Sequence, residues 1–343
     1  MRVRPKSHLR TIAGELKWPC AAPLRSIHEE KSLTSMASFP ATLAAPAPAT
    51  SPRGSRGPAF TPSRPRVPFV RGTVGYLKPA DARPVIHLVD TGPEAPRENF
   101  EHDLREVPIV DARLAPAPPR IHHEGFELWD APSRLHSFHD DEEALRAVYY
   151  PECVELACLV TGASRGFVFD HLLREREEGR PPPLTFGRSG AASAAGALGR
   201  VHNDYSEDSG RRRLHLVLND PEAAAAVRRY SIVNIWRSIG GVVRDTPLAV
   251  CDATSVNVGD LVPAELRYPR RVGEIYLSHH APGHRWAYFS EMDTHEALVF
   301  KQFDSQASGT SRFTPHAAFD LPHIPSDAPL RRSIEVRCLV VYD

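Results

Sequence analysis

His202-Asn203-Asp204 sets an imidazole and a carboxylate two positions apart. In an extended strand, residues i and i+2 project to the same side, so this pair addresses one point in space. A second histidine returning from elsewhere in the chain completes a two-histidine, one-carboxylate face. That donor set holds non-haem iron(II) and leaves positions open for a cosubstrate and O2. The spacing alone is weak in a chain with 17 histidines: His139-Asp140-Asp141 has the same form, and His28-Glu29-Glu30 and His122-His123-Glu124 have the glutamate version. Asp140 and Asp141 fit better as dipole partners at an acidic helix start, and the other two lie in stretches without regular pattern. His202 stands apart because it opens a β-rich half in which a third ligand can return.

The histidines available for that return are His279, His280, His284, His295, His316 and His323. The first three cluster in a Pro/Gly loop that suits a substrate rim as well. His295 follows Asp293 and Thr294, both capping residues, and is expected in the exposed first turn of a short helix. His316 sits among apolar neighbours in Phe313-Thr314-Pro315-His316-Ala317-Ala318-Phe319, about 15 positions before Arg331-Arg332-Ser333. A dicarboxylate such as 2-oxoglutarate, chelating a metal through its keto-acid end, needs its far carboxylate clamped by an arginine fork and a hydroxyl. We therefore take His202, Asp204 and His316 as the metal and catalytic set, with Arg331 and Ser333 as the cosubstrate clamp.

The strand that follows tests this choice. Ile334, Val336, Cys338 and Val340 share one face, and Arg331, Ser333, Glu335 and Arg337 share the other. The polar face is either an ordinary wet surface or the lining of a barrel mouth, with Arg337 replacing Arg331 if the register slips. Asn234 and Trp236 also share a strand face. Asn234 is the third cofactor-binding candidate, and Trp236 is either core or an apolar pocket wall. Arg237, Arg285 and Trp286 complete the substrate-pocket candidates, and Tyr205 is expected to pack.

The elements that must position these groups follow from the hydrophobic pattern. Phe69–Leu77 reads as a strand, and Ala112–Arg120 as a Pro-rich connection. A helical pattern runs from Asp140 towards Tyr150, and Pro151 opens a helix that turns Val154, Ala157, Cys158 and Leu159 inward and stops at Gly162. Gly166–Asp170 is a strand. Then come β-rich runs at Leu214–Leu218, Ile232–Trp236, Leu248–Asp252, Glu274–Leu277, Trp286–Phe289, Leu298–Phe303 and Ile334–Tyr342, interrupted by a helix over Pro221–Tyr230. So many short strands predict a mostly β jelly roll with flanking helices, over residues 68–343: supporting elements in 68–200, the metal-bearing core in 201–343. Residues 1–67, rich in Pro, Ala, Ser and Arg, are expected to be disordered, a transit peptide or a start-site extension.

Composition narrows the partners. With 42 basic and 42 acidic residues the formal charge is zero, so no whole-molecule field draws the chain to nucleic acid or an acidic membrane. A small-molecule substrate is expected; oligomeric state is left open. Cys20, Cys153, Cys158, Cys251 and Cys338 are scattered and form no CxxC pair, which disfavours a disulfide framework or zinc ribbon and favours a reducing, cytoplasmic setting. No apolar run reaches the roughly 18 residues of a membrane helix.

The segments Val201-His202-Asn203-Asp204-Tyr205-Ser206, Ile235-Trp236-Arg237-Ser238, Asp245-Thr246-Pro247-Leu248, Lys301-Gln302-Phe303-Asp304-Ser305, Arg312-Phe313-Thr314-Pro315-His316 and Ser333-Ile334-Glu335-Val336-Arg337 resemble, in order, the AsaB-type hydroxylase/desaturase family. That family is related to the cephem methoxylase subunit and to fungal meroterpenoid oxygenases. The resemblance implies a double-stranded β-helix, dependence on iron(II), 2-oxoglutarate and O2, and oxidation of a small, often secondary-metabolite substrate. It carries the ligand roles to His202, Asp204 and His316 and the clamp to Arg331 and Ser333. The chain departs at Ser238, where proline is usual. Rival classes are a metal-dependent hydrolase or isomerase on the same barrel, which needs no arginine clamp, and a metal-free jelly-roll binding module.

Overall fold

The structure, a computed structural model, describes residues 67–88, 96–138, 141–176 and 196–342. The expected disordered leader and the His28 and His139 patterns lie outside these residues or at their edge. The described chain forms β1 (Phe69–Leu77), β2 (Val85–His87), β3 (His102–Asp111), β4 (Phe126–Asp130), α1 (Glu142–Ala144), α2 (Tyr150–Thr161), β5 (Arg165–Glu175), β6 (His202–Asn203), α3 (Glu207–Leu218) and α4 (Pro221–Ala226). It continues through β7 (Arg229–Ser238), β8 (Leu248–Cys251), β9 (Leu261–Arg267), β10 (Val272–Ser278), β11 (Trp286–Tyr288), β12 (Glu296–Asp304), β13 (His316–Ala318) and β14 (Arg332–Tyr342).

These strands make two sheets, a nine-stranded one in the order β1-β3-β11-β8-β13-β6-β10-β9-β2 and a five-stranded one in the order β4-β12-β7-β14-β5. The sheets close on each other as a jelly roll. Phe126, Trp236, Leu298 and Phe300 of the smaller sheet pack against Leu248 and Val250 of the larger in one buried cluster. The period-2 alternation of β7 and β14 decides what each face meets. Val233, Ile235, Ile334, Val336, Cys338 and Val340 point outward onto Cys153, Leu156, Ala157 and Val160 of α2. The other set points into the roll, where Ser333 and Glu335 are buried although polar. The polar face of β14 is therefore the barrel interior and not a wet outer surface.

Several expectations hold. The first strand is Phe69–Leu77, and α2 carries Pro151 in its first turn and ends at Gly162 with φ +70°. Others need correction. Leu214–Leu218 is helix, because Ser206 caps a helix that starts at Glu207, its hydroxyl accepting from the Ser209 N–H, and Gly210 and Leu214 share the buried face. α4 stops at Ala226, since Arg229 already begins a strand fixed by long pairing with β14. Leu159 is 64% exposed, so the inner face of α2 is one step around from the one expected. His295 lies in a tight turn where its N–H donates to Asp293 at 2.7 Å, not in a helix.

The ligand-bearing strands are the shortest. β6 has two residues and β13 three, too few to be stable alone; they exist because β10 and β8 flank them and because they pair with each other at His202 and His316. Gly125 buttresses this pair. Its carbonyl accepts from the Lys301 N–H at 2.8 Å and from the Thr314 hydroxyl at 3.2 Å, with φ +95°. A Cβ there meets the Thr314 hydroxyl at 2.3 Å. Gly125→Ala should lower unfolding free energy by ~1–3 kcal/mol through backbone strain and this clash. A denaturation midpoint equal to that of the parent protein would contradict the packing described.

Candidate metal centre

His202 and His316 face each other across the β6–β13 pair with ring centroids 4.3 Å apart. Each ring is oriented by its own backbone: His202 Nδ1 lies 3.0 Å from the Arg200 carbonyl, and His316 Nδ1 lies 3.4 Å from the Thr314 carbonyl. A carbonyl only accepts, so Nδ1 carries the proton and Nε2 keeps its lone pair, the tautomer a metal needs. Burial, and then the neighbouring His316, push His202 well below its ordinary value and keep it neutral. Asp204 brings one oxygen to 3.6 Å from His202 Nε2. One ligand atom from each of His202, Asp204 and His316 lies within 4.8 Å of the others, the only such grouping among the described residues.

The carboxylate is held as firmly as the rings. Its Oδ2 accepts from Asn234 Nδ2 at 2.7 Å and from Arg337 Nε at 2.9 Å, which leaves Oδ1 for a metal. Burial opposes ionisation, but the Arg337 guanidinium and the Asn234 amide outweigh it and hold the carboxyl well below the usual range. The Asp204 N–H donates to Gln302 Oε1 at 2.7 Å. Asn203 locks the turn: its amide N–H groups donate to the carbonyls of Tyr205 and Gln302, and its oxygen accepts from the Thr314 N–H at 3.0 Å. The Asn203 and Gln302 roles were missed in the sequence, where Asn203 reads as a spacer. A buried amide between two candidate ligands is the signal that marks it.

A pocket beside the histidines is walled by Trp236, Leu248 and Ala318 and carries Arg331, Arg174 and Glu335. Arg331 is buried, donates to the Thr246 carbonyl at 3.0 Å and places its guanidinium 5.6 Å from the Trp236 ring centroid. The Ser333 hydroxyl, the Asn234 Oδ1 and the Trp236 indole N–H are buried with no hydrogen-bond partner. Unpaired polar atoms inside a roll are costly unless a ligand completes them.

The remaining candidates are placed elsewhere. Arg337 is the counter-charge of Asp204, where the sequence offered it as a substitute clamp. Arg237 alternates with Trp236 and points away from the pocket, donating to Tyr149 Oη at 3.2 Å and to the carbonyls of Thr294 and Ala131. Arg285 is 60% exposed and tied to Asp252 at 2.7 Å. Trp286 is core on the far side of the larger sheet, donating to Tyr76 Oη at 2.8 Å. The loop histidines are engaged outside the centre, His284 with Tyr76 and Asp260 and His279 with the Leu77 carbonyl. Ser238, at the position where proline is usual, closes its turn by donating to the Gly241 carbonyl.

Residues 74–341 match the family described as an oxidoreductase/YMDC permease-like domain. The hydroxylase/desaturase efuI of Hormonema carpetanum is 29% identical over 259 residues, 71% of this chain and 86% of that protein. The alpha-ketoglutarate-dependent dioxygenase phiK of a fungal species (strain ATCC 74256) is 31% identical over 245 residues, 70% of this chain and 85% of that protein. Among solved structures, the iron and alpha-ketoglutarate-dependent endoperoxidase NvfI superposes with a TM-score of 0.70 at 23% identity, covering 81% of this chain and 99% of that one, and so shares the fold.

Removing Arg337 strands a buried carboxylate. Arg337→Leu should cost ~3–5 kcal/mol at neutral pH in metal-free protein, the usual penalty for breaking a buried pair from one side. Asp204 has a depressed folded value, so its stabilising contribution is present above the unfolded carboxylate range and lost as pH falls. The gap between parent and variant should narrow as pH falls below about 4. Denaturation curves at several pH values test this, and a gap independent of pH would refute it. Adding Asp204→Asn to the variant should recover part of the loss.

Proposed function

This chain belongs to the AsaB-type hydroxylase/desaturase family of oxidoreductases, and we propose that it is an iron(II)- and 2-oxoglutarate-dependent dioxygenase that hydroxylates or desaturates a small secondary-metabolite substrate. The observation that carries this is the convergence of His202, Asp204 and His316 within 4.8 Å on the inner face of the roll, each with one donor atom free. Two imidazoles that each turn Nε2 away from their backbone carbonyl contacts and an ionised carboxylate fit a divalent iron. The unpartnered Ser333 hydroxyl and the buried Arg331 fit the far carboxylate of a dicarboxylate cosubstrate.

In this reading His202, Asp204 and His316 hold the metal, Arg331 with Ser333 holds the cosubstrate, and Asn234 both orients Asp204 and offers its free oxygen to the pocket. Iron(II), 2-oxoglutarate and O2 together supply the oxidising chemistry, the cosubstrate leaving as succinate and CO2. Trp236, Leu248 and Ala318 form an apolar wall that excludes water and confines the substrate. We take residues 68–343 as one oxygenase domain. Cys153, Cys251 and Cys338 are free thiols, which fits a cytoplasmic setting. Among the described residues no helix is long and apolar enough to cross a membrane.

Purified protein given iron(II) and 2-oxoglutarate without oxygen should develop the visible charge-transfer absorption of a chelated iron(II) keto acid, and with air and substrate should release succinate. His202→Ala should abolish both. Saturating metal at a hundred times its dissociation constant should raise stability by about 2.7 kcal/mol, lost again on adding chelator. Parent protein that binds no iron(II) and forms no succinate would end this assignment.

A further inference from the structure

The larger sheet supplies the metal ligands, whereas the smaller one supplies a charged row that the metal does not use. On β14, Ser333 pairs with Ser238 of β7 on one side and with Arg174 of β5 on the other. Directly paired residues project to the same face, so Arg174 stands beside the unpartnered Ser333 hydroxyl. Arg174 and Arg331 line the same pocket as His202 and His316. Two guanidinium groups are thus brought together in a confined space where like charges repel.

The nearby carboxylates, Glu335 and Asp245 foremost, offset them only in part. Asp204 and Glu335 both accept from Arg337, at 2.9 and 3.2 Å. Asp245 accepts the Arg331 backbone N–H at 3.0 Å with one oxygen, and its other oxygen is buried and unpaired. The hydrogen bond of Arg174 among the described residues goes to a neutral acceptor, the Gly196 carbonyl at 2.8 Å, which aims the guanidinium without neutralising it. Burial first, and then the like charge of Arg174, push Arg331 down from its ordinary value to about 10. Among the described residues neither Arg174 nor Arg331 has a carboxylate at ion-pair distance, and the Ser333 hydroxyl beside them has no partner.

We propose that Arg174 is the second arm of the clamp: the far carboxylate of 2-oxoglutarate is held between Arg331 and Arg174 over the Ser333 hydroxyl, so that Arg174 selects a dicarboxylate over a monocarboxylate keto acid. The assignment rests on the function proposed above. Arg331 closes the site from the residue before β14, and Arg174 closes it from β5. An anionic group on the substrate is the competing use of Arg174, and the experiment separates the two.

Manganese(II)-loaded protein, which binds without turning over, is titrated under nitrogen with 2-oxoglutarate and with 2-oxopentanoate, the same chain lacking the far carboxylate. Arg174→Gln should weaken 2-oxoglutarate by about tenfold or more and leave 2-oxopentanoate and manganese(II) within about twofold, the loss of a charged hydrogen bond to one ligand group. Arg174→Lys should recover part of the loss. Unchanged 2-oxoglutarate affinity in Arg174→Gln, or an equal loss for both keto acids, would overturn the proposal, the first outcome removing Arg174 from the cosubstrate site and the second assigning it to scaffolding. A parent protein that binds manganese(II) but not 2-oxoglutarate strikes the functional reading itself, a result distinct from any outcome of the variant.

Discussion

A carboxylate kept ionised inside a β roll is the constraint around which this protein is arranged. Burial alone raises the cost of charging Asp204, and a metal site needs it charged before the metal arrives. Arg337 supplies the opposing charge from the neighbouring sheet, Asn234 adds an amide N–H, and both take the same oxygen. The other oxygen is thereby reserved, and its direction is set by two strands rather than by a loop. Arg337 is anchored in turn by Glu335 and Asp170, so the ion pair is one link in a chain of charges across β14 and β5.

That chain explains the two-faced character of the smaller sheet. β7 and β14 must present a mostly apolar surface to α2 on one side and a row of mainly polar and charged groups to the pocket on the other. Strand periodicity allows this without compromise, because adjacent residues serve opposite faces. Arg237 shows the cost of a one-residue step: next in sequence to Trp236, it lies on the helix side and spends its donors on Tyr149 and two carbonyls. The larger sheet works differently. Its ligand strands are minimal, and their precision comes from neighbours: Gln302 and Asn203 fix the Asp204 turn, while β8 and β10 fix the histidines.

Much of this was legible in the residues. The alternation after Arg331 marks a polar and an apolar face, Ser333 and Glu335 against Ile334 and Val336, and that division is what the roll uses. Gly162 and Pro151 mark the limits of α2 for reasons local to the backbone. The apolar run Leu214–Leu218 misled because five residues suit a strand or a helix equally, and the deciding cap at Ser206 lies eight positions upstream. Arg285 and Trp286 were drawn to the pocket by proximity to a histidine-rich loop, but that loop is held on the far side by Tyr76 and Asp260.

The sequence by itself determined the donor types, the i, i+2 spacing of His202 and Asp204, the division of β14 into a polar and an apolar face and the family likeness, because each depends on neighbours in the chain. It did not determine which of several histidines completes the set, or which arginine serves which carboxylate. Those choices belong to the pairing of β6 with β13, which brings His316 to His202 across more than a hundred residues, and of β14 with β5 and β7, which sends Arg337 to Asp204 and leaves Arg331 and Arg174 at the pocket. Long-range strand register is set by burial on both faces of two sheets at once, and only the closed roll contains that information.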